Sequence, residues 1–318
     1  MKKIVVLDGF TLNPGDLKWT GFAKLGDLTV YDRTPKDRII QRARGAEILL
    51  TNKTVLTEAE MSRLPDVEYI GVFATGYNVV DVKAARKYGI TVTNLPTYST
   101  MSVAQQMFAL LLSITNHAEH YADQDRRGRW TASPDFAYVD TPLIELSGKT
   151  FGIVGFGHIG QASARMAQAF GMKVMAFSSK TQEELGSVIK APSLDDLFRE
   201  SDVVALCCPL NDETKGMVNS HLIGLLKPSA IFINTARGGL VDEQALANAL
   251  RSHRIHAAGL DVLTIEPPMA DNPLRSLPNC YITPHIAWAT HEARVRCMDT
   301  AVENLRAYLD GHPQNVVS

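Results

Sequence analysis

The chain has 318 residues, of which 45% are hydrophobic and 21% charged, with a formal net charge of −2. That length allows two domains with sizeable cores, and the near-neutral balance with no basic block argues against a nucleic-acid or membrane-surface binder. The longest apolar run, Met107–Leu112, is too short to cross a bilayer.

From the start, Met1–Asp8 is basic and then apolar, but the apolar part is too short for a signal peptide and ends like a strand at Asp8-Gly9. Strand-like and helix-like segments then alternate nearly throughout, which predicts a parallel α/β architecture. Ile4–Leu7, Leu28–Tyr31, Glu47–Leu50 and Tyr69–Phe73 read as strands, with Ile90–Val92 a candidate fifth. Asp37–Arg44 and Val80–Tyr88 read as helices between them. No glycine-rich turn follows the first strand, so this part is not expected to hold a dinucleotide. Ser102–His117 is apolar on most sides and reads as a buried helix between domains. Asp123–Pro142 is polar and aromatic without a clear period, and reads as a surface arm or a dimer contact.

A second unit begins at Lys149, with six expected strands: Phe151–Val154, Lys173–Phe177, Val203–Cys207, Ala230–Asn234, Ala257–Val262 and Cys280–Thr283. The last helix carries Val295, Met298, Val302, Leu305 and Leu309 on one face. It follows the six-strand unit and is expected to return to the first domain. The expected division is therefore 1–100 with 290–318 as a discontinuous substrate-binding domain, and 101–289 as a dinucleotide-binding domain, with a cleft between. The four cysteines, Cys207, Cys208, Cys280 and Cys297, lack metal-ligand spacing, so no metal is expected and reduced thiols in a cytoplasmic protein are the simplest reading.

The strand Phe151–Val154 runs into Gly155-Phe-Gly157-His158-Ile159-Gly160, and Gln161–Phe170 reads as a helix ending at Gly171. A lone glycine turn can be only a turn. Between a strand and a helix this pattern is the dinucleotide fingerprint in the context it requires. Gly155 permits the tight turn, Gly157 lets backbone approach a pyrophosphate, and Gly160 lets the helix pack close to the strand. N–H groups at the helix start then face the negative charge.

Three polar residues stand at or just beyond the carboxyl ends of strands in this unit: Arg237, Glu266 and His285. Ligands of open α/β sheets bind at that edge. Singly, an Arg after a strand can be a solvated charge, a Glu before Pro-Pro can close a loop, and a His can be structural. Together they suit reduction of a 2-keto acid by hydride. A planar Arg fork grips a carboxylate, and a His moves the proton on a carbonyl or hydroxyl oxygen. A carboxylate paired with a His favours the protonated imidazole and orients it.

The chain resembles the D-isomer-specific 2-hydroxyacid dehydrogenase family over essentially its whole length. The resemblance rests on Ala74–Asp81, Ser102–Gln105, Gly155–Gly160, Asn234–Gly238, Gly259–Val262, Glu266-Pro267 and Thr283–Ile286, in that order. It implies two doubly wound parallel-sheet domains, a Rossmann dinucleotide-binding domain and a flavodoxin-like substrate domain. It also implies that Arg237 binds substrate carboxylate, that Glu266 and His285 handle the proton, and that nicotinamide supplies hydride. Thr75, Gly76 and Tyr77 would offer backbone N–H groups to the carboxylate, although Gly76-Tyr77-Asn78 can also be read as a simple left-handed turn. Asp261 would contact the nicotinamide amide and Val103 would pack near its ring. Further cofactor contacts implied are His158, Ile159, Cys208, Pro209, Thr214, Thr235, Ala236 and Ala287. A homodimer is the family expectation.

Two positions depart from the family pattern. Ser178 stands where an acidic residue would bond the adenosine ribose, followed by Ser179 and Lys180. Without that carboxylate and with a nearby cation, NADP(H) is favoured on electrostatic grounds, while NAD(H) stays open. Trp288 follows Ala287, where Gly and a small residue are commoner. It reads as a wall of the substrate pocket or as filling at the domain junction.

The stretches Val6–Gly9 and Leu49–Thr54 resemble most the glycerate dehydrogenase, or hydroxypyruvate reductase, branch of the family. The end of the chain near Gln314–Val317 is read as arguing against the longer phosphoglycerate dehydrogenases, and Glu266 against formate dehydrogenase relatives. The small-molecule partner expected is thus a 2-keto or 2-hydroxy acid, with hydroxypyruvate or glyoxylate leading. Alternatives are a D-lactate or branched D-2-hydroxyacid dehydrogenase and, from another class, a non-catalytic nucleotide-sensing scaffold like the corepressors that resemble this family.

Overall fold

The computed structural model describes all 318 residues, in two compact units: Met1–Ser99 with Ala289–Ser318, and Thr100–Trp288.

The first unit is built on five parallel strands: β1 (Lys3–Val6), β2 (Asp27–Val30), β3 (Ile48–Thr51), β4 (Tyr69–Val72) and β5 (Thr91–Thr93). Their order is β2-β1-β3-β4-β5, a flavodoxin-like arrangement. Ile48–Thr51 and Tyr69–Val72 are buried at every residue, as strands covered on both faces must be. The expected helix over Asp37–Arg44 is a 3-10 turn, Lys36–Arg38, running into a short helix, Ile39–Ala43. The helix Val82–Lys87 starts where the Asp81 side chain accepts from the Lys83 and Ala84 amides.

The helix His291–Leu309 belongs to this unit. Met298, Val302 and Leu305 are buried as the spacing predicts, whereas Val295 and Leu309 are only half-buried. The buried stripe also includes Ala293, Arg294, Cys297, Ala301 and Asn304. Arg294 is buried because its fork closes on Asp16: Nη1 donates to Oδ1 at 2.7 Å and Nη2 to Oδ2 at 2.6 Å. This bidentate pair ties the start of the chain to the returning helix.

The second unit has seven parallel strands: β6 (Thr150–Val154), β7 (Lys173–Phe177), β8 (Ile189–Lys190), β9 (Val203–Leu206), β10 (Ile231–Asn234), β11 (Ala257–Leu260) and β12 (Cys280–Ile282). Their order is β12-β11-β10-β9-β6-β7-β8. Numbered within the unit, that is the 3-2-1-4-5-6 order of dinucleotide-binding folds with one strand added. The sequence predicts six strands and misses β8, an exposed two-residue edge strand with no apolar run to mark it.

The helix Thr100–Asn116 packs on β11, where Gly259 makes room: a Cβ there would lie 2.9 Å from Ile233 and 3.0 Å from Leu110. The helix after the glycine motif begins at His158, three residues before the expected start. In the stretch expected to lack periodicity, Asp123–Arg126 closes a helix that starts at Ala118, and no regular element follows until β6.

The Asp16 carboxyl is held well below the usual carboxylate range, first by the Arg294 guanidinium and then by His291, against the opposing effect of burial. A depressed folded-state value contributes stability that is complete above the unfolded value and is lost as pH falls. Asp16→Asn should therefore lower the melting temperature at pH 7, and the gap should begin to narrow as the pH is taken below about 4. Thermal unfolding between pH 7 and pH 3 checks this, and a pH-independent gap would contradict it.

Candidate active site

The predicted cofactor and catalytic residues of the second unit lie at the carboxyl edge of its sheet or on elements leading into it. The glycine motif follows β6 directly. Gly155 has φ +92°, and a Cβ on it would sit 2.8 Å from the Cys208 amide nitrogen, just past the end of β9 across the switch point. A Cβ on Gly160 would sit 2.4 Å from the Gly155 oxygen, so helix and turn meet only through glycine. Gly157 is different, because a Cβ there would meet nothing within 4 Å. It caps the helix without a side-chain bond and leaves the first N–H groups, at His158 and Ile159, open to solvent.

At the end of β10, the Thr235 hydroxyl is buried with no hydrogen-bond partner. An open glycine, free helix N–H groups and an orphaned hydroxyl on one sheet edge fit a bound dinucleotide. Ser178 and Lys180 follow β7, with the Ser178 hydroxyl accepting from the Lys180 amide at 3.2 Å. Lys180 also meets Glu184 at 3.8 Å. The loop after β9 holds Cys208, Pro209 and Thr214. The Thr214 hydroxyl donates to the Pro209 carbonyl at 2.7 Å. Burial pushes the Cys208 thiol up to about 11, which makes it a neutral contact and not a nucleophile. Val103 is buried in the first turn of Thr100–Asn116.

The three chemical residues come from adjacent turns. After β10, the Asn234 side chain donates to the Arg237 carbonyl at 2.9 Å and accepts from the Ala236 amide at 3.0 Å, which shapes the turn carrying Arg237. The next residue, Gly238, packs on the Leu263–Thr264 backbone so closely that a Cβ would lie 2.0 Å from the Leu263 carbon. That loop bears Glu266, whose Oε1 accepts from the Leu263 amide at 3.0 Å. Glu266 Oε2 meets His285 Nδ1 at 2.6 Å.

His285 itself has φ +54°. Such a conformation persists for a non-glycine residue only when its surroundings impose it. Here the buried Asp261 carboxylate does so: Oδ1 accepts from the Thr283 hydroxyl at 2.6 Å and the Ile286 amide at 3.0 Å, and Oδ2 from the Ala287 amide at 2.8 Å. Burial pushes the Asp261 carboxyl up, against the pull of the Thr283 hydroxyl, the Ala287 and Ile286 amides and the His285 charge. Trp288, half-buried, ends this segment.

Thr75, Gly76 and Tyr77 belong to the first unit, after β4. None of Thr75–Asn78 has a positive φ, so the simple left-handed turn is not what forms. The Thr75 hydroxyl donates to the Leu95 carbonyl at 2.6 Å and Asn94 Nδ2 to the Thr75 carbonyl at 2.7 Å, and the amides of Gly76 and Tyr77 stay free of internal acceptors.

Several residues that shape the site were not singled out in the sequence: Asn234, Thr283, Gln106 and Glu243, whose carboxylate accepts from the Thr264 amide at 2.5 Å and from Asn272 at 2.7 Å. Asn234 and Thr283 are polar side chains at strand ends, and Gln106 and Glu243 are polar side chains on helices; both signals are too common to read without coordinates.

A dinucleotide-binding α/β unit with an Arg and a His–Glu pair on its carboxyl edge is the equipment of a nicotinamide-dependent oxidoreductase. Residues 108–287 match the model of the D-isomer specific 2-hydroxyacid dehydrogenase, NAD binding domain. The chain is 48% identical to a hydroxypyruvate reductase of Blautia hydrogenotrophica and 40% identical to a glycerate dehydrogenase of Methylorubrum extorquens, each match covering 99% of both chains. It also superposes, with a TM-score of 0.83 and 30% identity over 100% of this chain and 97% of the other, on an NADPH-dependent glyoxylate/hydroxypyruvate reductase from Sinorhizobium meliloti solved with NADP and malonate. The chain belongs to the D-isomer specific 2-hydroxyacid dehydrogenase family, whose members are NAD(P)-dependent oxidoreductases.

Gly155→Ala combines a forbidden φ with a backbone clash. It should weaken dinucleotide binding by about tenfold or more, read by fluorescence titration of the reduced cofactor. Unchanged affinity would remove Gly155 from the cofactor turn.

Proposed function

We propose that this enzyme reduces hydroxypyruvate to D-glycerate and glyoxylate to glycolate, using NADPH in preference to NADH. The observation that carries the reading is the 2.6 Å contact between His285 and Glu266 on the dinucleotide edge, with Arg237 on the neighbouring turn. The hydroxypyruvate reductase and glycerate dehydrogenase relatives support the choice of substrate.

The turn Gly155–Gly160 and Thr235 would hold the dinucleotide, which when bound would supply a hydride for the keto carbon. His285 gives the accompanying proton to the carbonyl oxygen. Because Nδ1 is engaged by Glu266, Nε2 is the ring nitrogen left for the substrate. Glu266 is itself fixed by the Leu263 amide, so it orients the imidazole and balances its charge. The Arg237 guanidinium uses one Nη1 bond on the Ala236 carbonyl, at 2.7 Å, and directs its remaining donors to the substrate carboxylate and carbonyl. Trp288 limits the length of the substrate side chain, which favours two- and three-carbon keto acids.

The NADPH preference rests on Ser178 in place of a carboxylate and on Lys180. The exposed Lys180–Glu184 pair is weak enough for a 2′-phosphate to replace the carboxylate. The NADP-bound Sinorhizobium meliloti enzyme supports it. Four free thiols support a cytoplasmic enzyme, and no helix is long and apolar enough to cross a membrane. Trp130, Phe136, Val139 and Leu143 are 55%, 93%, 69% and 51% exposed, and such a patch supports a homodimer that buries it, which sedimentation would read.

His285→Ala should cut kcat by about 10²–10⁴-fold while leaving cofactor affinity intact. Unchanged turnover in a hydroxypyruvate assay would sink the proton role. Ser178→Asp should shift the NADPH-to-NADH ratio of kcat/KM by about tenfold or more towards NADH. A persistent NADPH preference would refute this account of the adenosine site. Faster reduction of pyruvate than of hydroxypyruvate would move the enzyme to the D-lactate branch.

A further inference from the structure

We propose that Gln106, acting through the Thr283 hydroxyl, is a positioning residue for the turn that carries His285. The proposal rests on the reading that His285 moves the proton. Ser102, Gln106, Leu110 and Ile114 form one row, four residues apart, on the helix Thr100–Asn116. Leu110 and Ile114 are the side chains of this helix that meet Gly259 on β11, which brings the earlier part of the row to the sheet's carboxyl edge. There Ser102 Oγ donates to the Ala287 carbonyl at 2.6 Å, and Gln106 Nε2 donates to Thr283 Oγ1 at 3.2 Å. One helix row thus holds both ends of the turn, with the left-handed His285 between them.

The direction of these bonds is what makes Gln106 more than packing. A hydroxyl has one proton. With the Gln106 amide donating to it, the Thr283 oxygen sends its proton to Asp261 Oδ1, at 2.6 Å. A carboxylate at position 106 would instead draw that proton to itself and turn a Thr283 lone pair towards Asp261. An apolar residue there would remove the outer bond yet leave the proton free to point at Asp261. The two substitutions therefore differ in sign at the Thr283–Asp261 bond, although each removes the same amide.

The test compares Gln106→Glu, Gln106→Leu, Thr283→Val and Thr283→Ser in the whole enzyme. The readouts are kcat and KM for hydroxypyruvate, cofactor affinity by fluorescence titration, the solvent deuterium isotope effect on kcat, and melting temperature. Expected is a graded loss of kcat, small for Gln106→Leu and about ten- to a hundredfold for Gln106→Glu and Thr283→Val. KM and cofactor affinity should hold, the solvent isotope effect should rise, and Thr283→Ser should keep most of the turnover. Equal losses in Gln106→Leu and Gln106→Glu that follow melting temperature would overturn the proposal, as would a loss confined to cofactor affinity. His285→Ala is run alongside: if it leaves kcat unchanged, the proton reading itself falls and this proposal with it. A large effect of His285→Ala with none from Gln106→Glu rejects the positioning role alone.

Discussion

A buried carboxylate, Asp261, is tied by hydrogen bonds to both ends of the segment Thr283–Ala287, and the direction of His285 follows from those bonds. Burying such a group is expensive unless donors surround it. Here the cost is offset by one hydroxyl and two amides, which cannot all be satisfied unless the segment curls back over the end of β11. The curl carries His285 through a positive φ and sets its ring against Glu266. Asn234 does the same on the neighbouring strand, bonding both the Ala236 amide and the Arg237 carbonyl. Two adjacent strands thus end in a polar side chain that shapes a turn, Asn234 the turn after its own strand and Asp261 the turn after β12. In each case the turn carries a candidate catalytic residue, Arg237 or His285, and the side chain that holds the turn lies behind it.

This arrangement explains why rigid elements matter so much to the site. β10, β11 and β12 are paired in register, with Asn234 opposite Leu260 and Leu260 opposite Ile282. A shift of any one strand would separate Arg237, Glu266 and His285 together. Gly238 and Gly259 serve the same end: the first lets the Arg237 turn rest on the loop of Glu266, and the second seats the helix Thr100–Asn116 on the sheet.

What the sequence makes legible is what repeats or what only one residue type can do. Apolar runs mark eleven of the twelve strands, and β8 escapes because two exposed residues at a sheet edge leave no run to find. Gly155 and Gly160 announce themselves because no other residue fits them, and Arg237, Glu266 and His285 because their positions after strands agree with one chemistry. Asp261 is visible only through resemblance, and its grip on Thr283, Ile286 and Ala287 is not visible at all, since hydrogen bonds across more than twenty residues leave no periodic trace. The same holds for the Asp16–Arg294 pair, whose members are 278 residues apart. Arg294 directly precedes Val295, the first residue read on the apolar face, and a buried charge there is the last thing a pattern of apolar residues predicts.

The two sheets also show why only one of them has the form of a dinucleotide site. In both, a switch point lies between neighbouring strands whose chain connections run to opposite sides, and such a point leaves a crevice at the carboxyl edge. In the second unit it lies between β6 and β9, and glycine keeps it clear, with free helix N–H groups beside it. In the first unit it lies between β1 and β3, and Asp8 stands two residues past the end of β1. Its carboxyl oxygens accept from the amides of Asn52, Lys53 and Thr54 at 2.8, 2.6 and 2.7 Å. The backbone donors that an anionic ligand would need are consumed by the chain's own acid. A fold with two crevices of the same origin therefore keeps one for a phosphate-bearing ligand and closes the other with a side chain. The difference is written at two positions, Gly155 after one strand and Asp8 after the other.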